Sequence, residues 1–114
     1  MRTLSKALSL AGLATRAGRI VSGEFASEKS IKSGKAQLVL VAEDASANTR
    51  KKFADSCRFY EVPIRFLADR ESLGKAVGKD FRATVVIEDA GLAKAVLQAI
   101  ESDPSMNRRD ESER

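Results

Sequence analysis

The sequence predicts one domain, a small α/β sandwich with helices on both faces of a mixed or parallel sheet. Residues 37–42 and 83–87 are nearly continuous apolar runs, a pattern typical of strands covered on both faces. Segments of about ten residues with helical spacing alternate with such strands, which favours a layered α/β arrangement. The 114 residues are 43% hydrophobic, enough for one buried core but too few for two. We expect residues 1–101 to form this domain.

The N-terminal segment predicts a helix that begins at Thr3 or Ser5 as its N-cap and ends at Gly18. The apolar residues of this helix are Leu4, Leu8, Leu10, Ala11, Leu13 and Ala14 or Thr15. Residues 19–22 suit a short edge strand that leads into the next helix.

A second helix is predicted over residues 23–32, with Ser22 as its N-cap and Glu24 in its first turn. Its apolar face is thin, so we expect it at the surface. The expected buried residues are Phe25 or Ala26, Ile31 and part of Ser27 or Ser30. Gly34 ends this helix.

The central strand over residues 37–42 precedes a third helix, which begins at Asp44 or Ser46. One face of this helix should carry Thr49, Phe53, Ser56, Cys57 and Tyr60, while Arg50, Lys51 and Lys52 face outward. Pro63 closes the connection to a third strand over residues 64–67.

Asp69 should cap a short fourth helix that stops at Gly78, and Asp89 should cap the last helix. The strand over residues 83–87 lies between them and belongs in the centre of the sheet. The core face of the last helix is Leu92, Ala93, Val96, Leu97 and Ile100. Residues 102–114 have no apolar periodicity, so we expect a disordered tail.

Positive charge is concentrated in the first third of the chain. Residues 1–35 hold seven cationic side chains and two carboxylates, a net charge of +5, and the whole chain carries +4, which leaves −1 for the remainder. Such a basic segment points toward a polyanionic partner, although a charge of this size also suits a merely soluble protein.

The composition disfavours several classes of protein. One cysteine and no histidine cannot form an internal disulfide or the usual zinc sites, so we expect a reducing cytoplasm and no metal. The absence of histidine also disfavours hydrolytic enzymes, because it removes the commonest general base. Lys6 and Arg16 interrupt the apolar N-terminal segment, which suits neither an export signal nor a membrane span.

Nucleotide-binding and catalytic motifs find little support. Residues 18–23 have the frame of a phosphate loop, but Glu24 stands where the motif requires lysine, and residues 74–79 have the wrong spacing. Glu43 and Asp44 could be a metal or acid/base pair, but we favour an N-cap and a solvated turn because no partner is visible. Cys57 is expected in the core rather than as a reactive thiol.

The predicted second helix and its basic flanks carry the strongest binding pattern. Gly23 removes the Cβ at the helix entrance, where a sugar-phosphate backbone could approach free N–H groups. Lys29 and Lys32 share one face of the helix. Phe25 could stack on an unpaired base, and a core-directed Phe25 on a solvated helix is the alternative. Lys79, Phe81 and Arg82 form a second basic and aromatic segment.

Six short segments follow one another along the chain. They are GLATRAG (12–18), SGE (22–24), KSIKSGKA (29–36), LVLVAED (38–44), VP (62–63) and LGKAVG (73–78). In this combination the chain resembles the kink-turn RNA-binding ribosomal protein superfamily, and within it the small bacterial YlxQ-like proteins.

The resemblance implies a three-layer α-β-α sandwich with a small mixed sheet of about four strands. It also implies binding of structured, kink-turn-like RNA without catalysis and without a cofactor. By position, the turn glycine of the family corresponds to Gly23, its helix lysine to Lys29 and its later RNA-facing loop to residues 79–83. The best kink-turn binders carry Gly-x-Asn-Glu in the turn, and here Phe25 and Ala26 replace Asn and Glu. These side chains cannot recognise base edges, so we expect backbone binding through the lysines.

The leading interpretation is a non-catalytic RNA-binding protein of ribosome or RNA metabolism. Its expected partners are structured RNA, with ribosomal RNA as one candidate, and ribosome-associated or RNA-processing proteins, and we expect a monomer. The expected RNA-binding residues are Arg19, Gly23, Glu24, Phe25, Lys29, Lys32, Lys79, Phe81 and Arg82. The alternative is a protein-interaction module on the same fold that has lost specific RNA binding, with Phe25 and Phe81 as anchors. A small enzyme using Glu43 or Asp44 would require a deep pocket around those carboxylates.

Overall fold

The computed structural model describes the backbone of residues 2–102 and the side chains of residues 6–102. The elements in this range are α1 (Arg2–Arg16), β1 (Ile20–Ser22), α2 (Glu24–Lys32), β2 (Leu38–Val41), α3 (Ala47–Tyr60), β3 (Ile64–Phe66), α4 (Arg70–Ala76), β4 (Thr84–Ile87) and α5 (Ala90–Glu101). The predicted alternation of helices and strands is confirmed. The predicted tail lies outside the described residues, except Ser102, which is the C-cap of α5.

The strands form a four-stranded mixed sheet in the order β1-β4-β2-β3. Strands β1 and β2 run antiparallel to β4, and β3 runs parallel to β2. Leu40 at the centre lies opposite Val85 of β4 and Arg65 of β3. All residues of β2 and β4 are buried, as expected for central strands whose two faces are both covered.

Helices cover both faces of the sheet, so the predicted three-layer α-β-α sandwich is confirmed. Leu38, Leu40, Val85 and Ile87 point toward the layer of α1, α4 and α5. The alternate residues Val39, Val41 and Val86 point toward the layer of α2 and α3. The apolar character of both sets follows from the alternation of side chains along a strand.

The predicted apolar face of α1 is confirmed at Ala11 and Ala14 and wrong at Leu13. Ala7, Ala11 and Ala14 are buried, whereas Leu13 is 44% exposed. Leu8 and Leu10 are partly buried against the core, and Leu4 lies outside the described side chains. Since α1 packs against α5, small residues at the contact allow the two helices to approach closely. The helix also begins at Arg2, so Thr3 and Ser5 lie inside it and neither is its N-cap.

The predicted caps hold for three of the later helices. Asp69 and Asp89 accept hydrogen bonds from Ser72 N and Leu92 N at 2.7 and 2.8 Å. Ser46 is the N-cap of α3 and accepts a hydrogen bond from Thr49 N at 3.1 Å. Asp44 is therefore not that cap.

Two other expectations were wrong. Ser22 belongs to β1, and Gly23 is the N-cap of α2. Tyr60, in the last turn of α3, is 41% exposed and stacks edge-on against Phe59 instead of lying in the core.

Candidate nucleic-acid interface

The turn between β1 and α2 depends on glycine for its backbone conformation. Gly23 has φ 91° and ψ 155°, a region that residues with a Cβ rarely adopt. Its amide donates a 3.0 Å hydrogen bond to the carbonyl of Thr84, which fixes the turn to β4. No side chain of its own caps α2 at this N-cap. The first N–H groups of the helix consequently point toward a surface that an anion can approach.

Helix α2 contacts the sheet largely through hydroxyl groups. The Ser27 and Thr84 hydroxyls are 3.0 Å apart and buried, and Ser30 donates a 2.6 Å hydrogen bond to Glu88 Oε2. Ile31 adds the apolar contact. These contacts fix which face of α2 points outward.

Phe25, Lys29 and Lys32 lie on this outward face. The Phe25 side chain is 84% exposed, so it does not contribute to the core, and Ala26 is only half-buried. The alternative of a core-directed Phe25 is therefore wrong. Lys29 is exposed, and the Lys32 side chain is 58% exposed.

Residues 79–83 lie beside the Gly23 turn. Arg82 Nε donates a 3.0 Å hydrogen bond to Ser22 Oγ, the residue directly before Gly23, and Arg82 N donates to Arg70 O of α4. Phe81 in this loop is 61% exposed. The hydrogen bond from Arg82 to Ser22 thus joins the loop at residues 79–83 to the Gly23 turn, although the two bonded residues are 60 positions apart in sequence.

We call this set the basic-aromatic surface. Its members are Gly23, Phe25, Lys29, Lys32, Lys79, Phe81 and Arg82. Arg19 is not part of it, because it precedes β1 and its carbonyl accepts a hydrogen bond from Glu88 N at the end of the β1–β4 pair that is remote from Gly23.

Gly74 allows the loop to approach α4. Lys79 N donates a 2.8 Å hydrogen bond to Gly74 O. A Cβ on Gly74 would stand 2.8 Å from the carbonyl carbon and oxygen of Asp80 and 2.9 Å from Phe81 Cα. Such distances are incompatible with the loop in this position, so Gly74 fixes the place of Phe81 without being exposed itself.

Helix α3 binds both carboxylates of α2. Thr49 Oγ1 donates a 2.7 Å hydrogen bond to Glu24 Oε2. Lys52 Nζ lies 3.0 Å from Glu28 Oε1 and 3.9 Å from Glu24 Oε1. The hydrogen bond from Lys52 is the main cause of a lowered pKa at Glu28, and the same bond raises the pKa of Lys52. Both groups are therefore charged at neutral pH.

Lys52 is exposed as predicted, but its ammonium group also pairs with the carboxylates of α2. Lys51, its neighbour, also faces solvent and pairs with Asp55 at 3.0 Å. Sequence reasoning missed the role of Lys52 because its partners lie on another helix. The basic run at residues 50–52 does not indicate which of its side chains pairs with the carboxylates of α2.

Helices α2 and α3 border an open groove of about 720 Å³. Its lining includes Phe25, Lys29 and Lys32 from α2, Lys52 from α3, and the two paired carboxylates Glu24 and Glu28. The groove continues the basic-aromatic surface along the length of α2.

The comparison with known proteins identifies the fold family. A model of the ribosomal protein L7Ae/L30e/S12e/Gadd45 family matches residues 5–97. The chain belongs to this family. The predicted resemblance is thereby confirmed.

Relatives within the family include named RNA-binding and ribosomal proteins. The chain is 42% identical over 92 residues to the RNA-binding protein YlxQ of Bacillus subtilis, covering 81% of this chain and 92% of that protein. It is 35% identical over 101 residues to the large ribosomal subunit protein eL8 of Thermoplasma volcanium, covering 84% of each.

Solved structures share the fold of this L7Ae/L30e family member. A protein of unknown function from Bacillus halodurans superposes with a TM-score of 0.82 at 36% identity, covering 84% of this chain and 97% of that one. The Giardia lamblia 15.5kD RNA binding protein superposes with a TM-score of 0.76 at 23% identity, covering 90% and 89%. At 23% identity, the superposition on the Giardia protein shows a shared fold and no more.

The acidic pair that an enzyme would require is exposed in this family member. Asp44 accepts a 2.9 Å hydrogen bond from Arg70 N and lies 3.5 Å from Arg70 Nε, so its carboxylate fixes the start of α4. Glu43 and Asp44 are both exposed. Within residues 2–102, no group of three or more His, Cys, Asp or Glu could bind a metal ion.

Cys57 of α3 is buried in the core. Burial raises the pKa of Cys57 to about 11, so this core thiol is protonated at neutral pH. No helix in the described part of the chain is both long and apolar enough to cross a lipid bilayer.

Proposed function

We propose that this protein binds structured RNA, without catalysing a reaction, through the basic-aromatic surface. The observation that carries the proposal is the hydrogen bond from Arg82 to Ser22, which brings the loop with Phe81 next to the Gly23 turn and the lysines of α2. Membership of a ribosomal protein family and 42% identity to a protein named as RNA-binding support it.

Each part of the surface supplies a different interaction with RNA. The N-terminus of α2 and the two lysines attract phosphate groups, which gives affinity without sequence preference. Phe25 and Phe81 offer exposed rings on which unpaired bases can stack. Neither ring can read the edge of a base, so recognition depends on RNA shape and on bases that are splayed out of a helix.

A kink-turn satisfies this requirement because its bend exposes unpaired nucleotides next to a folded backbone. The proposed target is therefore kink-turn-like RNA, with ribosomal RNA as a candidate, bound by a monomer in the cytoplasm. Glu24 would contribute its backbone N–H rather than its carboxylate, which Thr49 and Lys52 already bind. Arg19 would contact only RNA that extends along β1.

The test is a titration of a fluorescein-labelled kink-turn hairpin RNA and of a straight duplex of equal length, at several salt concentrations. Lys29→Ala combined with Lys32→Ala should weaken binding of the hairpin and lower the slope of log K against log salt by about 1.5. The matched control is Lys75→Ala with Lys94→Ala, which removes the same charge from the opposite layer. An equal loss in both double variants, or no loss in the first, contradicts the proposal.

The exposure of Phe25 and Phe81 also favours the second candidate, a protein-interaction module. This candidate predicts that the hairpin RNA does not bind above the level of the duplex. It also predicts a protein partner that stays bound after nuclease treatment and is released by Phe25→Ala.

A further inference from the structure

Helix α2 carries two carboxylates among the lysines of the proposed RNA surface. Glu24 and Glu28 line the same groove as Lys29 and Lys32. Together these four side chains have no net charge, and unpaired carboxylates at this place would repel phosphate groups. The chain therefore needs a means to keep both acids away from the RNA.

Helix α3 provides the contacts that restrain both acids. Lys52 Nζ reaches Glu28 Oε1 at 3.0 Å and Glu24 Oε1 at 3.9 Å. Ser46 Oγ donates a 3.0 Å hydrogen bond to Thr49 Oγ1, which in turn donates to Glu24 Oε2. Both carboxylates are thereby turned toward α3.

Lys32 competes with Lys52 for Glu28. Glu28 lies one turn before Lys32, the favoured order for an ion pair on a helix, yet the distance between Lys32 Nζ and Glu28 Oε2 is 3.8 Å. The shorter contact is the one with Lys52. Without Lys52, Glu28 would turn to Lys32 and neutralise a cation of the proposed RNA surface.

We propose that Lys52 is a positioning residue for RNA binding: it draws Glu28 and Glu24 toward α3, leaves only the longer 3.8 Å contact between Glu28 and Lys32, and so keeps Lys29 and Lys32 available to phosphates. The inference rests on the proposed function. It assigns to α3 a part in recognition that does not require α3 to touch the RNA.

Lys52 could instead contact RNA directly, since its side chain is 46% exposed and lines the groove. A comparison of Lys52→Met, Glu28→Gln and the double variant Glu28→Gln with Lys52→Met separates these two roles. The probe is the labelled kink-turn hairpin RNA, and Lys51→Met is the matched control on the same helix.

A positioning role predicts that Lys52→Met weakens binding about fivefold at 0.1 M salt, because Glu28 then repels phosphate and occupies Lys32. Lys51→Met should bind within about twofold of the unmodified protein, since Lys51 pairs with Asp55 outside the groove. In the double variant the repelling carboxylate is absent, and affinity should return to within about twofold of the unmodified protein.

Measurements of thermal unfolding distinguish a positioning role of Lys52 from a loss of affinity caused by lower stability. The double variant lacks the ion pair between α2 and α3 just as Lys52→Met does, so its Tm should stay near that of Lys52→Met while its affinity recovers. Affinity that follows Tm, or a double variant as weak as Lys52→Met, overturns the inference. Unmodified binding by Lys52→Met overturns it as well.

The lysine variants of α2 separate this inference from the proposed function. If Lys29→Ala with Lys32→Ala weakens binding and Lys52→Met does not, only the positioning role is wrong. If neither weakens binding, the RNA surface and the positioning role are both overturned.

Discussion

Helix α2 contacts the sheet through different chemistry from the helices of the opposite layer. In the layer of α1, α4 and α5 the contacts are apolar, with buried residues such as Ala14, Leu73 and Val96 against Leu40 and Ile87. In the other layer, α3 buries Phe53 and Cys57, whereas α2 buries the hydroxyls of Ser27 and Ser30 beside its one buried large apolar residue, Ile31. Helix α2 keeps its aromatic residue Phe25 on the outside.

This difference separates stability from binding. Apolar burial is the dominant favourable contribution to folding, whereas a buried hydrogen bond contributes little net free energy but fixes direction. The first layer therefore stabilises the sheet. The contacts of α2 mainly determine which of its residues face outward, and that is what a binding surface requires.

The largest effect should come from the apolar layer. Ile87→Ala removes a fully buried side chain and should lower the free energy of unfolding by about 2–5 kcal/mol. The folded fraction should still bind the hairpin RNA with nearly unchanged affinity, because β4 contacts α2 through Thr84 rather than Ile87. Chemical denaturation and RNA titration measure the two quantities.

Ser27→Ala is the matching change in the other layer. It leaves the buried Thr84 hydroxyl without its Ser27 partner, at a cost of about 1–3 kcal/mol, and should reduce RNA affinity because α2 loses a fixed contact. Adding Thr84→Val should recover much of the stability. If Ile87→Ala reduces affinity more than Ser27→Ala does, the proposed division between the layers is wrong.

An intermediate effect is expected at two helical glycines. Gly74 of α4 faces the loop that follows α4, and Gly12 of α1 faces the end of α4. Gly74→Ala places a Cβ 2.8 Å from the Asp80 backbone, so the loop with Phe81 must move, and RNA affinity should fall about tenfold with a cost of about 1–3 kcal/mol in stability. Gly12→Ala is the control, since its Cβ would meet only Ala76 O at 3.2 Å, away from that loop.

Measurements of RNA affinity and Tm for both variants distinguish the two sites. We expect Gly12→Ala to change stability by less than Gly74→Ala and to leave affinity within about twofold, because any shift of Ala76 stays inside α4. Equal losses of affinity would mean that the position of the loop does not matter for binding.

The sequence predicts the buried face of α5 better than that of α2, and the reason is physical. Helix α5 has a wide apolar stripe, and its buried residues Val96 and Ile100 follow from periodicity alone. Two of the three buried residues of α2 are serines, and no periodicity distinguishes a buried serine from a solvated one. The position of Phe25 therefore stayed ambiguous in the sequence.

The candidate site was only partly predictable for a related reason. Gly23, Lys29 and Phe81 could be placed by motif, because each lies within a recognisable local segment. The bond from Arg82 to Ser22 and the ion pair of Lys52 with Glu28 join residues far apart in sequence. Such pairs are set by tertiary packing, which a single sequence does not show.

The smallest expected effect tests the contact between α2 and α3 through pH. Because the pKa of Glu28 is lowered from its usual value of 4.5 in the folded chain, ionised Glu28 contributes stability above that value. This contribution is lost as the pH falls below 4.5 through the lower pKa of the folded state. Glu28→Gln cannot ionise and has no such loss.

The expected result is that Glu28→Gln lowers Tm at pH 7 by a few degrees at most and that this difference shrinks as the pH falls below 4.5. Thermal unfolding of both proteins over this range measures it. A constant difference at all pH values would mean that Glu28 stabilises the fold by packing rather than by its charge. The contact with Lys52 would then be too weak to draw Glu28 away from Lys32.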